Sequence, residues 1–240
     1  MRGIVLLIVF SLVFSCKSHS DYVAEALQPA EKGDRISRDS LEAYYQRYIS
    51  AVSPGKTFKH YSGLIRKGIL FDGGDRLPVE ITVNKRPVYF SVVVKLQGAN
   101  RKIVEYSVDS LIHPQGLKNE DRKNIKQMIV RIAQCPVAGI FVYFVQNHYT
   151  FFKKDNQLAG DIETTDLYTF DGDYRWDFYL DKKTGLLVRL TKSDKNGMLF
   201  AIDFMDFRNK NGLMLSYHMI VHDKTNNKKS YIWKKITLKP

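Results

Sequence analysis

Cysteine is scarce. The chain has two, Cys16 and Cys135, in 240 residues. That is too few for a disulfide framework, and no Cys-x-x-Cys pair offers redox chemistry or a zinc site. Cys135 reads as a buried small hydrophobe or a free thiol, since no base or metal-ligand spacing surrounds it. No apolar run approaches the roughly 20 residues that a membrane-spanning helix needs. The sequence contains no Gly-x-Ser-x-Gly elbow and no phosphate loop. Acidic residues are outnumbered, 25 against 37 Lys and Arg, for a net charge of +12. The basic residues are spread along the chain without a basic helix or an aromatic-glycine motif, which argues against nucleic acid as a partner. A basic exported protein meets anionic lipid head groups or acidic surfaces, or simply carries a solvated basic surface. At 44% hydrophobic and 26% charged, the composition excludes disordered and collagen-like classes. Fourteen Tyr and fourteen Phe suit a β protein with a large apolar interior.

Three groupings invite a chemical reading and fail it. His218 and His222 lie about 13 Å apart on a strand rising ~3.3 Å per residue, too far to share one ion. Asp171-Gly172-Asp173 lacks the further acidic ligands of a calcium loop. Asp203 and Asp206 sit among phenylalanines with nothing to place them in a cleft. The chain therefore reads as a binding protein rather than an enzyme, with no catalytic residue, no metal site and no cofactor.

The first residues are built for export. Arg2 precedes an apolar core from Ile4 to Phe14, broken only by Ser11, and this is the build of a secretory signal. It ends Leu12-Val13-Phe14-Ser15-Cys16, which resembles the bacterial lipobox. That resemblance implies removal of residues 1–15, acylation of Cys16 and a membrane anchor at the new N-terminus. Acyl chains contribute roughly 0.8 kcal/mol per buried CH₂. Residues 16–37 are polar and aperiodic, a tether between lipid and domain. Lys17 stands where some bacteria place an aspartate to retain lipoproteins in the inner membrane, so the expected location is the outer membrane, facing the periplasm.

From residue 38 onward one domain is expected. Leu41, Tyr44, Tyr45, Tyr48, Ile49 and Val52 form a helical stripe that Ser37 or Asp39 caps and Pro54-Gly55 ends. The period then changes to two. Val79, Ile81 and Val83 fall on one face of a strand, and Val88, Phe90, Val92, Val94 and Leu96 on one face of the next, with Lys85-Arg86-Pro87 between. Residues 119–133 return to helical spacing. The apolar run Val137 to Val145 fits a second helix or a buried strand. The last ninety residues carry short strands joined by Gly-, Asn- and Asp-rich turns, an antiparallel meander. Trp176, Phe178, Leu180, Phe200, Ile202 and Phe204 lie on one of its faces. The expected architecture is α+β: a curved antiparallel sheet, an incomplete β-barrel, covered on one side by helices.

Several stretches together resemble the LolA/LolB-like superfamily of bacterial lipoprotein carriers and receptors. They are Ile49-Ser50-Ala51-Val52-Ser53-Pro54-Gly55 followed by Tyr61-Ser62-Gly63, then Lys85-Arg86-Pro87. Tyr179 to Arg189 and Phe204 to Leu213 complete the set. The resemblance implies a half-barrel whose helical lid covers an apolar cavity for lipid or lipoprotein acyl chains. The family's Lys-Arg-Pro arginine helps hold the lid closed, which makes Arg86 the candidate latch. Cavity candidates are Ile81, Val83, Phe90, Val92, Val94, Trp176, Phe178, Phe200, Ile202 and Phe204. The alternative is a structural or interaction lipoprotein of an envelope complex, with a filled core and a protein partner. Metabolic labelling with a fatty acid should mark the wild-type protein and leave Cys16→Ala unlabelled; equal labelling of the two overturns the lipid anchor.

Overall fold

The computed structural model describes residues 33–240 apart from 56, 97–98, 108–110, 113–118, 138 and 226. The expected signal segment, Cys16 and most of the expected tether lie outside the described residues. Asp34–Arg35 form β1, Arg38–Val52 α1, Gly63–Asp72 β2, Asp75–Asn84 β3, Tyr89–Leu96 β4, Ala99–Tyr106 β5 and Leu111–Ile112 β6. Helices α2, Asn119–Gln134, and α3, Ile140–Gln146, follow. The meander is β7, Phe151–Ala159; β8, Ile162–Asp171; β9, Tyr174–Asp181; β10, Leu187–Asp194; β11, Gly197–Lys210; β12, Leu213–Asp223; and β13, Lys228–Lys239. Among the described residues these thirteen strands make one antiparallel sheet, ordered β1-β7-β8-β9-β10-β11-β12-β13-β2-β3-β4-β5-β6. The sheet does not close: β1 and β6 are its two edges.

Alternation puts one apolar set on the helix-covered face. Val79 faces Val94, Ile81 faces Val92 and Val83 faces Phe90 across β3 and β4. In the meander Phe178 lies between Leu167 and Leu190, and Leu190 faces Ile202. Cross-strand pairs of this kind are the unit of sheet stability. Gly68 allows β13 to pass close to β2, since a Cβ there would meet the Ile232 carbonyl oxygen at 2.1 Å.

The helices form where their periodicity predicts. Ser37 caps α1, its hydroxyl accepting from the Ser40 amide at 3.2 Å, and α1 buries Tyr48, Ile49 and Val52. The run that fits helix or strand is helical. Its Ile140, Phe141, Val142 and Phe144 are all buried, and an all-round apolar segment buried between other elements satisfies its own backbone only as a helix. The Phe141 ring sits 5.2 Å from Tyr48, 5.8 Å from Phe151 and 5.2 Å from Phe178. Phe144 sits 5.7 Å from Phe178 and 5.5 Å from Trp176.

Two elements escape the sequence pattern. Lys153 to Asn156 breaks the apolar rhythm of β7, yet the strand forms because β8 supplies its ladder, Phe152 facing Tyr168. Asp34 and Arg35, within the stretch expected as tether, pair with Lys153 and Phe152.

The outer face of the meander carries charge. Arg175 bonds Asp177 and lies 3.9 Å from Asp166, its guanidinium 4.0 Å over the Tyr168 ring. Thr191 donates to Asp177 at 3.2 Å. Asp166 is 2% exposed, and its Oδ1 has no hydrogen-bond partner among the described residues. Burial, reinforced by the Asp177 charge, pushes its carboxyl up to about 7 despite Arg175 and Lys154. Asp203 goes the other way. Burial opposes its charge, but hydrogen bonds from Arg189 at 2.5 Å and His222 at 2.8 Å hold it below the usual carboxylate range.

Phe141→Ala should cost about 3–5 kcal/mol in denaturant unfolding, the usual range for emptying a well-packed phenylalanine site; a loss under 1 kcal/mol means α3 is not part of the core. Asp166 is protonated in the fold and ionised in the unfolded chain between about pH 4 and pH 7, so its contribution to stability falls as pH rises through that window. Asp166→Asn keeps a neutral group there. Thermal unfolding of the variant should lack that part of the wild-type decline, and parallel profiles would overturn the assignment.

Candidate functional site

The cavity candidates fall into two groups under the helices. Val83, Phe90, Val92 and Val94 are buried on β3 and β4, with Ile81 half-buried, and α2 packs against these two strands. Trp176, Phe178, Phe200 and Ile202 are buried in the meander, with Phe204 half-buried beside Met219. Here α3 does the covering: Phe141 and Phe144 lie on Trp176 and Phe178, and Phe200 packs against Trp176 at 5.9 Å. The fold thus brings each group to the inner face but places different helices over them.

Among the polar side chains on that inner face, Arg66 is placed beside the β3 group. Arg66 stands opposite Ile81. It donates to the Ser216 carbonyl at 3.0 Å and to Met219 Sδ at 3.4 Å, and lies 5.7 Å over the Trp233 ring. Burial lowers it to about 10, so it remains cationic at neutral pH. The strand period alone foretells an inward arginine at this position, because Leu64, Arg66, Gly68 and Leu70 alternate onto one side.

The helical cover is fastened at one end. Arg131 of α2 forms a two-pronged ion pair with Asp171 at the end of β8. Tyr149 donates to the same carboxylate at 3.3 Å, and the guanidinium lies 5.7 Å over the Tyr143 ring. Burial works against the Arg131 charge, and the hydrogen bond and charge of Asp171 outweigh it. Gln146 of α3 donates to the Tyr45 hydroxyl of α1 at 3.3 Å. Arg47 of α1 donates to the Lys182 carbonyl, and its side chain lies so near Gly185 that a Cβ there would meet it at 2.9 Å. No sequence signal pairs Arg131 with Asp171, forty residues away.

The other end is open. Lys85-Arg86-Pro87 forms the turn between β3 and β4, all three exposed, with a cis Arg86–Pro87 bond. A cleft of about 550 Å³ lies between this turn, the 3-10 turn Thr57–His60 and the lid segment from Gln134 to Gln146. Arg86 lines it and has no hydrogen-bond or ion-pair partner among the described residues. Phe58, Pro136, Val137 and Val142 give the cleft apolar walls.

The groupings weighed for chemistry have ordinary partners. His218 bonds Ser230 and His222 bonds Asp203, each at 2.8 Å. Asp206 pairs with Arg208 in solvent. Asp166 and Asp177 are close together, but neither lines this cleft. Among the described residues no three His, Cys, Asp or Glu side chains gather as metal ligands would, and no helix is long and apolar enough to cross a membrane.

No protein-family profile matches the sequence, and no curated protein does. Solved structures do match. A LolA superfamily protein from Nitrosomonas europaea aligns at 12% identity over 83% of this chain and 94% of its own, with a TM-score of 0.52. A DUF1329 family protein from Desulfovibrio piger aligns at 13% identity over 82% and 92%, with a TM-score of 0.43. MucB aligns at 12% identity over 84% of this chain and 60% of its own, with a TM-score of 0.28; scores as low as the last two carry no argument. The open antiparallel sheet, the helices packed on one face and the first of these alignments agree that this chain has a LolA-like fold.

Proposed function

We propose that this protein is a lipoprotein of the bacterial envelope, held by acyl chains on Cys16 in the outer membrane and facing the periplasm. It binds lipid or lipoprotein acyl chains between sheet and lid, and it catalyses no reaction. The observation that carries this reading is the asymmetric lid. It is pinned by Arg131 and Asp171 at one end and opens at the other into an apolar-walled cleft of about 550 Å³, within the size range of small-molecule sites. A LolA-like fold supports a carrier or receptor role, and a lipid anchor favours a receptor-like or stand-alone one over a soluble carrier.

The two sides of the exchange are of the same order. Lifting α3 off the sheet exposes Ile140, Phe141, Val142 and Phe144, at roughly 1.5–3 kcal/mol each. An acyl chain burying about a dozen methylenes contributes roughly 0.8 kcal/mol per CH₂, about 10 kcal/mol in all. In this reading a chain takes the place of the α3 rings over Trp176, Phe178, Phe200, Ile202 and Phe204. Under α2 it would meet Ile81, Val83, Phe90, Val92 and Val94. Arg86, at the lid's open edge, is the proposed latch.

The second reading is an interaction lipoprotein with a filled core. The interlocked rings of α3 and the meander favour it.

The purified unlipidated protein should take up a fluorescent fatty acid saturably. Phe90→Asp should weaken that uptake at least tenfold, by placing a carboxylate in the apolar face. Asp171→Ala should speed uptake by unpinning the lid. Absence of saturable uptake from both wild type and Asp171→Ala, together with capture of a protein partner, decides for the filled core.

A further inference from the structure

The open cleft has a charge as well as a shape. Lys59 and His60 reach it from the 3-10 turn, Lys85 and Arg86 from the turn between β3 and β4. No Asp or Glu side chain lines it, and none of these four side chains makes an ion pair with a described residue. Four other arginines pair with carboxylates: Arg131 with Asp171, Arg175 with Asp177, Arg189 with Asp203 and Arg208 with Asp206. Pro240 closes one corner, an oxygen of it accepting from the Ser62 hydroxyl at 2.6 Å. Even with a carboxylate there the balance stays positive. Burial pushes the Cys135 thiol up to about 11, against the pull of Lys85, so it adds no negative charge at neutral pH. Behind this rim stand Phe58, Val137 and Val142.

A cationic rim over an apolar wall recognises an amphiphile with an anionic head. We infer that the cleft binds one anionic phospholipid, its phosphate held by Lys59, Lys85 and Arg86 and the start of its acyl chain laid along Phe58, Val137 and Val142. Arginine suits the head because its guanidinium meets phosphate oxygens in a two-pronged, charge-assisted geometry. About 550 Å³ accommodates a head group and the first methylenes rather than a whole lipid. The remaining chain continues under the lid beyond Val142, which is 1% exposed. Arg86 then has a second role beside that of proposed latch, as a head-group contact. The inference rests on the lipid-binding function proposed above and names the class of lipid.

The test titrates the full-length protein in a non-ionic detergent with three probes. These are dihexanoyl phosphatidylglycerol, dihexanoyl phosphatidylcholine and inorganic phosphate, followed calorimetrically. The anionic lipid should bind at least tenfold more tightly than the zwitterionic one, and inorganic phosphate far more weakly than either. In the double variant Lys85→Gln, Arg86→Gln the preference for the anionic lipid should disappear. Both residues are exposed turn residues, and the single variant Lys59→Gln, on a separate segment, should lower the same preference by a smaller factor. Equal binding of the two lipids by wild type overturns the head-group assignment and leaves acyl-chain binding standing. Failure of both lipids to bind overturns the lipid reading itself. Inorganic phosphate binding as tightly as the anionic lipid reduces the cleft to a plain anion site, which also overturns the inference.

Discussion

The pairing of β13 with β2 makes one sheet out of two. Without it the chain would hold a five-stranded ribbon, β2 to β6, near its start and a separate meander near its end. The ladder runs from Lys229 opposite Asp72 to Lys239 opposite Gly63. It depends on Gly68, where any side chain would collide with the passing strand. Contacts this distant in sequence carry a loop-closure cost that grows only slowly with length, so the burial along the joined faces can offset it. At the far end of the ladder the Ser62 amide donates to the Lys239 carbonyl at 2.8 Å, and the Lys85 amide donates to the Ser62 carbonyl at 2.6 Å. Those two bonds set the Lys-Arg-Pro turn beside Lys239, and Ser62, Lys85, Arg86 and Pro240 all line the cleft.

The sheet has one apolar face too wide for its own curvature to bury. Three helices among the described residues solve that problem in different ways. Helix α3 is apolar all round and is consumed by the core. Helix α1 is amphipathic and braces the turn between β9 and β10 through Arg47. Helix α2 gives Met128, Ile129 and Ala133 to the interior and is pinned through Arg131. The pinned end is held by an ion pair, an aromatic ring and a tyrosine hydroxyl. At the open end Arg86 has no bonded partner among the described residues. The cover is fastened unequally, and the cationic rim falls at its weaker side.

Much of this fold was legible in the residues. The alternation of Val79 to Leu96 and of the meander marked the strands and their buried faces. The stripes of α1 and α2 marked the helices. Strand β7 was hidden, because Lys153 to Asn156 breaks the alternation and only the neighbouring ladder restores it. The same holds for Asp34 and Arg35, whose composition is that of a linker until β7 is present to pair with. In the site, Arg86 stood out through its motif, whereas Arg131 and Asp171 read as an unremarkable helix end and an ordinary turn.

The sequence by itself determined the period of each element and which side of it is apolar, because those depend on neighbours one to four residues apart. It also carried the apolar run from Ile4 to Phe14, the scarcity of thiols and the excess of cations. The tertiary structure alone decided which apolar faces meet. It put Phe141 and Phe144 over Trp176 and Phe178, joined Arg131 to Asp171, and gathered Lys59, His60, Lys85 and Arg86 around one opening free of carboxylate side chains. These are encounters between segments tens of residues apart, selected by packing and by pairing of the whole sheet, and no local pattern encodes them.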